Sequence, residues 1–106
     1  MQFETDISSP HAELFQATRT LLIEVHGLEE IKKPRITTYA HKSGNICHMR
    51  TMPHGVDFGF LKGAKMEDKL GLLIGNGKAM RVLPMGEVDA STVAYYVEQA
   101  IGLNGG

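Results

Sequence analysis

The sequence predicts an α+β domain. Its core is an antiparallel sheet of four to five strands, with an N-terminal and a C-terminal helix packed on one face. Three observations carry this. Apolar residues recur with helical spacing near both ends, they alternate with a period of two in between, and short turns separate the alternating runs. A parallel crossover needs about a dozen residues or more, so short turns mean an antiparallel meander. With 106 residues, 42% of them hydrophobic and 22% charged, the chain fits one globular domain spanning 1–106.

The first helix is expected to start at Ser9-Pro10, a capping residue followed by one preset for the first helical turn. Leu14, Thr18, Leu21, Leu22 and Val25 then mark its buried face, and Gly27 ends it. Leu28 to Lys33 reads as an edge strand stopped by Pro34. Arg35 to His41 places Ile36, Thr38 and Ala40 on one face and Thr37 and Tyr39 on the other. A turn at Lys42-Ser43-Gly44-Asn45 leads into Ile46 to Met52, where Cys47 and Met49 oppose Ile46, His48 and Arg50. After Pro53-His54-Gly55, Val56, Phe58 and Phe60 form the clearest half-buried strand. Met80 and Val82 alternate with Arg81 and Leu83 in a last strand. Asp89 caps a final helix whose inner face is Ala90, Val93, Ala94, Val97 and Ile101, with Gly102 at its end. Of the adjacent Tyr95 and Tyr96, one is expected to point to the core and one to its flank.

The composition excludes several classes. A single cysteine, Cys47, rules out an internal disulfide and a cysteine-rich zinc site. Met1 to Ser9 is polar and acidic with no apolar stretch, so no secretory signal is expected. The apolar runs are far shorter than the ~20 residues of a membrane span. The expected compartment is cytoplasmic, with no membrane partner. Net charge is −1, but it is unevenly spread. Residues 1–30 carry six acids against Arg19 alone, a balance of −5, whereas residues 31–81 carry ten Lys and Arg against three acids, a balance of +7. An acidic first helix beside a basic middle can steer ions of opposite sign to different sides. The basic segment is divided between strand faces, so nucleic-acid binding is not expected.

Gly63-Ala64-Lys65-Met66-Glu67-Asp68-Lys69-Leu70-Gly71-Leu72-Leu73-Ile74-Gly75-Asn76-Gly77-Lys78, followed by a strand bearing Arg81, is the most distinctive stretch. It resembles the signature loop of the YdhG-like family of small bacterial proteins. Pro34, Tyr39 and Asp89 also fit, and the resemblance covers roughly residues 10–102. The chain departs from the pattern at Lys69, in place of a proline, and at Met66, in place of a leucine. The resemblance implies a frataxin-like fold and an iron-chaperone role resting on an acidic surface. It brings no catalytic residues.

The candidate sites follow from residue type and spacing. Gly75-Asn76-Gly77-Lys78 offers backbone N–H groups beside a lysine, which suits an anion held by Asn76, Lys78 and Arg81. It is no Walker A loop, because Leu72 stands where the first Gly belongs and Ala79 where Ser or Thr belongs. It is no dinucleotide fingerprint either, because Met80 replaces the third Gly. The plainer reading is an Asn-Gly tight turn. His41, His48 and His54, with Cys47 and Asp57, include metal-ligand types, but strand alternation sends Cys47 and His48 to opposite faces. Glu13 and Glu24 lie about 16 Å apart along a helix and cannot share an ion. Glu24, Glu29 and Glu30 form the better carboxylate cluster for weakly held Fe(II), against a plain solvated face. No nucleophile, base and orienting group assemble, so an enzyme is not expected. The expected function is a non-enzymatic binding or chaperone-like protein, iron being its most concrete cargo. The alternative is a small-molecule or anion-binding module built on the Gly63–Arg81 loop. A small ligand or an unidentified protein is the expected partner, and a homodimer is allowed.

Overall fold

The computed structural model describes residues 1–42 and 44–105. Two short N-terminal helices, α1 (Gln2–Ile7) and α2 (Ala12–Thr20), lead into a π-helical turn at Leu21–Val25. Five strands follow: β1 (Glu29–Lys32), β2 (Thr37–His41), β3 (Gly44–Met52), β4 (Gly55–Phe60) and β5 (Arg81–Met85). The chain closes with α3 (Ala90–Leu103). Among the described residues the strands form one sheet in sequence order, every neighbour antiparallel. No helix among them is long and apolar enough to cross a membrane.

Register decides which side chains meet the helices. Tyr39 faces Cys47 and Cys47 faces Phe60, while Thr37, Met49, Phe58 and Leu83 form the next row across the sheet. These residues are buried and share one core with Phe3, Phe15 and Leu22 from the N-terminal helices and with Val93, Tyr96, Val97 and Ala100 of α3. Both ends of the chain therefore cover the same face, as expected. The Phe58 and Phe60 rings stack at 4.5 Å, and Tyr96 sits 5.9 Å from Phe60.

The N-terminal segment differs most from expectation. Residues 2–7 are helical, and Phe3 and Asp6 on this turn and a half are buried. Asp6 Oδ1 accepts hydrogen bonds from the Thr51 N–H at 3.0 Å and the Thr51 hydroxyl at 2.8 Å. β2 ends opposite Met49, two residues short of Thr51, so the Asp6 carboxylate stands in for the missing strand. The second helix begins at Ala12 rather than at Pro10, while Ser9 Oγ accepts from the His11 N–H. Its buried face is Phe15, Thr18 and Leu22, with Val25 67% exposed. The π turn, closed by His26 N–H to Leu21 O, breaks the 3.6-residue spacing and rotates Val25 to solvent.

Smaller departures have equally local causes. Between Tyr39 and Ala40 the β2–β3 register shifts, so Ile46 is the extra residue of a bulge and is buried alongside Cys47. The expected turn at residues 42–45 is led by Lys42 with φ 41°, and Ser43 lies outside the described residues. In β5 the inward residues are Leu83 and Met85, while Met80 precedes the strand and is exposed. In α3 Asp89 caps as expected, accepting from the Ser91 and Thr92 N–H groups. Its stripe turns to include Tyr96 and Ala100, leaving Ala90 exposed, and the helix runs one residue past Gly102. Tyr96 is the core tyrosine and Tyr95 the flanking one.

The sheet edges resist further pairing. Ile74 pairs with Val82 on the outer side of β5, which fixes that Val82 points its N–H and C=O away from β4. Pro84, two residues on, points the same way and has no N–H to offer a new strand. At the other edge, β1 is four residues long and carries Glu29, Glu30 and Lys32.

Gly55 fixes the β3–β4 connection. Its φ of +145° disfavours any side chain, and a Cβ there would collide with the Met85 backbone carbonyl. A backbone atom in a sheet cannot swing aside. Gly55→Ala is therefore expected to cost more than about 2 kcal/mol of stability, read as a lowered denaturant midpoint with an unchanged slope. A loss below about half of that would show that the Met85 strand end yields.

Candidate functional site

Among the described residues no helix covers the second face of the sheet. Strand alternation places there Ile31, Thr38, His48, Gly59 and Val82 in one transverse row, and Ile36, Arg50, Asp57 and Pro84 in the next. Between these rows lies a cavity of about 320 Å³ lined by Arg35, Ile36, His48, Arg50, Asp57, Gly59 and Val82. That volume is at the lower end of small-ligand sites.

Each wall has a local cause. Arg35 follows Pro34 in the β1–β2 turn, closed by the Lys33 N–H donating to the Ile36 carbonyl at 3.0 Å. Arg50 and Asp57 are directly opposite each other on β3 and β4, as are His48 and Gly59. Gly59 makes the floor. A Cβ built on it would lie 2.7 Å from His48 Cε1 and 2.9 Å from Nε2, so the imidazole occupies the space that any other residue would fill. Ile36 and Val82 supply the apolar part of the lining.

The electrostatics are unbalanced. Among the described residues Arg35 and Arg50 make no ion pair and no side-chain hydrogen bond. Asp57, the one carboxylate of the cavity, instead takes His54 Nε2 at 2.7 Å on its Oδ1. His48 Nδ1 is buried with no hydrogen-bond partner among the described residues, which leaves Nε2 as the ring's usable nitrogen. Burial, then the charges of Arg50 and Lys33, hold the His48 pKa below its ordinary value. Two uncommitted guanidinium groups and an imidazole that resists protonation leave the cavity short of negative charge.

The residues singled out from sequence fall elsewhere. Arg81 Nη1 donates to the Gly77 carbonyl at 2.6 Å and the Met80 carbonyl at 2.7 Å, so it braces its own loop. Lys78 and Asn76 are exposed, and neither lines the open-face cavity. Positive φ occurs at Gly75 (126°) and at neither Asn76 nor Gly77, so the loop is not a two-residue Asn-Gly hairpin. The length of the Gly63–Arg81 connection is explained by docking on α3. Asp68 accepts from the Tyr96 hydroxyl at 2.5 Å and from the Leu72 and Leu73 N–H groups. The Lys69 N–H donates to the Tyr95 hydroxyl, and Gln99 bonds both the N–H and the carbonyl of Glu67. The Tyr96 hydrogen bond is the main cause that lowers the Asp68 pKa, while burial, then Asp68, push Tyr96 up to about 12.

The three glutamates proposed for iron do not converge. Alternation in β1 sends Glu29 and Glu30 to opposite faces. Glu24 lies exposed on the π turn. Glu30 faces the core side, where the Arg19 guanidinium grips both carboxylate oxygens and the Tyr39 hydroxyl donates to Oε2 at 3.0 Å. Burial alone would raise the Glu30 pKa, but the hydrogen bonds from Arg19 and Tyr39 outweigh it and hold the group below its usual range. Among the described residues no group of three His, Cys, Asp or Glu stands close enough to hold a metal ion. Cys47 lies on the face opposite His48, as alternation required, and burial pushes its thiol pKa up.

His48 and Asp57 were visible as polar residues of interest, but as metal ligands. Arg50 and Gly59 join them through the β3–β4 turn, which pairs 48 with 59 and 50 with 57. No family model, curated protein sequence or solved structure matches this chain.

His48 gives the site a pH signature. Its folded pKa lies below the unfolded value of 6.5, so the fold favours the neutral ring. The stability this contributes is complete above that pH and is lost as pH falls from about 6.5 toward the folded value. Denaturation titrations between about pH 7 and pH 5 should show this loss. A His48→Gln chain, which cannot titrate there, should lose measurably less stability over the same interval. Parallel curves for the two chains would contradict the burial of this ring.

Proposed function

We propose that this chain is a small-ligand binding module, that its ligands are anionic, and that they seat on the open face of the sheet. The observation that carries the proposal is the pairing pattern around the cavity: Arg35 and Arg50 uncommitted, His48 with a buried orphan nitrogen, and Asp57 turned to His54. Guanidinium groups present flat forks of N–H donors that match carboxylate and phosphate oxygens. With His48 disfavouring its own charge, an anion in the cavity would relieve the repulsion from Arg50 and raise the affinity of the ring for a proton. Binding is therefore expected to strengthen as pH falls through the His48 pKa. Lys78 and Asn76 of the Gly63–Arg81 loop do not line this cavity, and Arg81 is engaged with the Gly77 and Met80 carbonyls.

Thermal denaturation at low salt tests this, with inorganic phosphate and short carboxylates as probes. A ligand at a hundred times its Kd contributes about 2.7 kcal/mol, which for a domain of this size moves Tm by many degrees. Arg50→Ala should weaken binding at least tenfold, the scale of one charge-assisted hydrogen bond of about 1.5–3 kcal/mol. Lys78→Ala should leave it unchanged. Equal loss in both variants, or no stabilisation of the parent chain by any anion, would remove the reading.

A further inference from the structure

From the placement of Asp57 beside the two arginines we infer that the ligand is zwitterionic, a small amino carboxylate such as an aliphatic α-amino acid. This rests on the anion-binding reading of the same cavity and adds a demand for a cationic group. Arg50 and Asp57 are direct cross-strand neighbours on the open face. Side chains so placed start only about 5 Å apart at Cβ, yet no ion pair joins them among the described residues. The Asp57 carboxylate leans instead to His54, at the β3–β4 turn, and spends only Oδ1 there; Oδ2 makes no hydrogen bond among the described residues. Arg50 has no substitute partner among the described residues. The two charges face one cavity without neutralising each other.

That arrangement is a dipole with both poles open. A simple anion would satisfy Arg35 and Arg50 but would share the cavity with Asp57, a like charge that disfavours it. A molecule bearing an ammonium group next to its carboxylate meets both poles. The carboxylate takes the guanidinium forks of Arg35 and Arg50, and the ammonium donates to Asp57 Oδ2. The remaining lining suits a short aliphatic side chain. Ile36 and Val82 are apolar, and Gly59 lets the His48 ring lie flat against the sheet beside them. A tetrahedral oxyanion such as phosphate has no group for Asp57 and no use for the apolar wall.

Matched probes isolate the amine. Calorimetry on the intact chain at pH 7 and low salt would compare L-valine and L-leucine with isovalerate and isocaproate, their counterparts without the amino group, and with inorganic phosphate. Valine or leucine is expected to bind at least tenfold more tightly than its deaminated counterpart. In Asp57→Asn, nearly the same shape without the charge, that preference should collapse while the simple carboxylates bind as well or better. If the deaminated acids and phosphate bind the parent chain as tightly as the amino acids, the zwitterion inference is overturned and the anion-binding reading stands. If none of the probes binds, both fall. The comparison on the parent chain decides the matter even if Asp57→Asn does not fold, and a preference that survives in a folded Asp57→Asn also overturns the inference.

Discussion

The domain depends on one register, that of β3 against β4, in which Met49 opposes Phe58 and His48 opposes Gly59. Side chains alternate faces along a strand, so a slip of one residue would exchange every pair. With β3 held in place, Asp57 would then turn under the helices and Phe58 would turn to water. Three features prevent this. Gly55 fits only where it stands, against the Met85 carbonyl. Phe58 and Phe60 stack inside the core. Any residue but Gly opposite His48 would displace its ring. The covered and the open face are thus set by the same few contacts, and the cavity is a consequence of the register that builds the core.

The two faces treat charge differently. On the covered face Glu30 is nearly enclosed, and a carboxylate there requires full pairing. Arg19 and Tyr39 supply it, tying α2 to β1 and β2. Asp6 ties α1 down through Oδ1 alone, completing the β3 backbone beyond the end of β2, while its buried Oδ2 has no partner among the described residues. The acidity of the first thirty residues is therefore partly structural. On the open face Arg35 and Arg50 are exposed, so leaving them unpaired costs the fold little. Charges that read as one segmental imbalance in the sequence divide into paired groups that hold helices and unpaired groups that border a cavity.

What could be read in advance was what period and turn chemistry control. The alternation of Val56, Phe58 and Phe60, the Asp89 cap and the opposite facing of Cys47 and His48 follow from local rules and appear in the structure as expected. What could not be read depended on partners distant in sequence. Met1 to Ser9 looks like a polar tail because Asp6 is acidic, and only Thr51 explains why it is buried. The π turn shifts the phase of the first helix, which no fixed-period pattern registers. The Gly63–Arg81 connection is longer than a simple strand link needs, and Asp68, Tyr95, Tyr96 and Gln99 show the length to be that of a segment docked on a helix. The cavity was legible in principle. The turn at Pro53 and His54 pairs residues whose numbers sum to 107, which brings His48 over Gly59 and Arg50 beside Asp57.

His48 is where the demands of folding and of binding separate. A solvated imidazole satisfies its nitrogens with water, but this ring lies over Gly59 with Nδ1 buried and unbonded. Its position therefore weakens the fold, because an unsatisfied polar atom is desolvated without return. Gly59 adds to the cost, since glycine within a strand orders the most flexible backbone and packs no side chain. An alanine or valine opposite a smaller polar residue would make a better sheet. What the His48–Gly59 pair provides instead is a ring laid flat against the sheet, one wall of a cavity that two guanidinium groups also line. The unpaired arginines alone would be an ordinary exposed surface. Their placement around a cavity that the sheet maintains at the expense of its own stability is what makes this face a site.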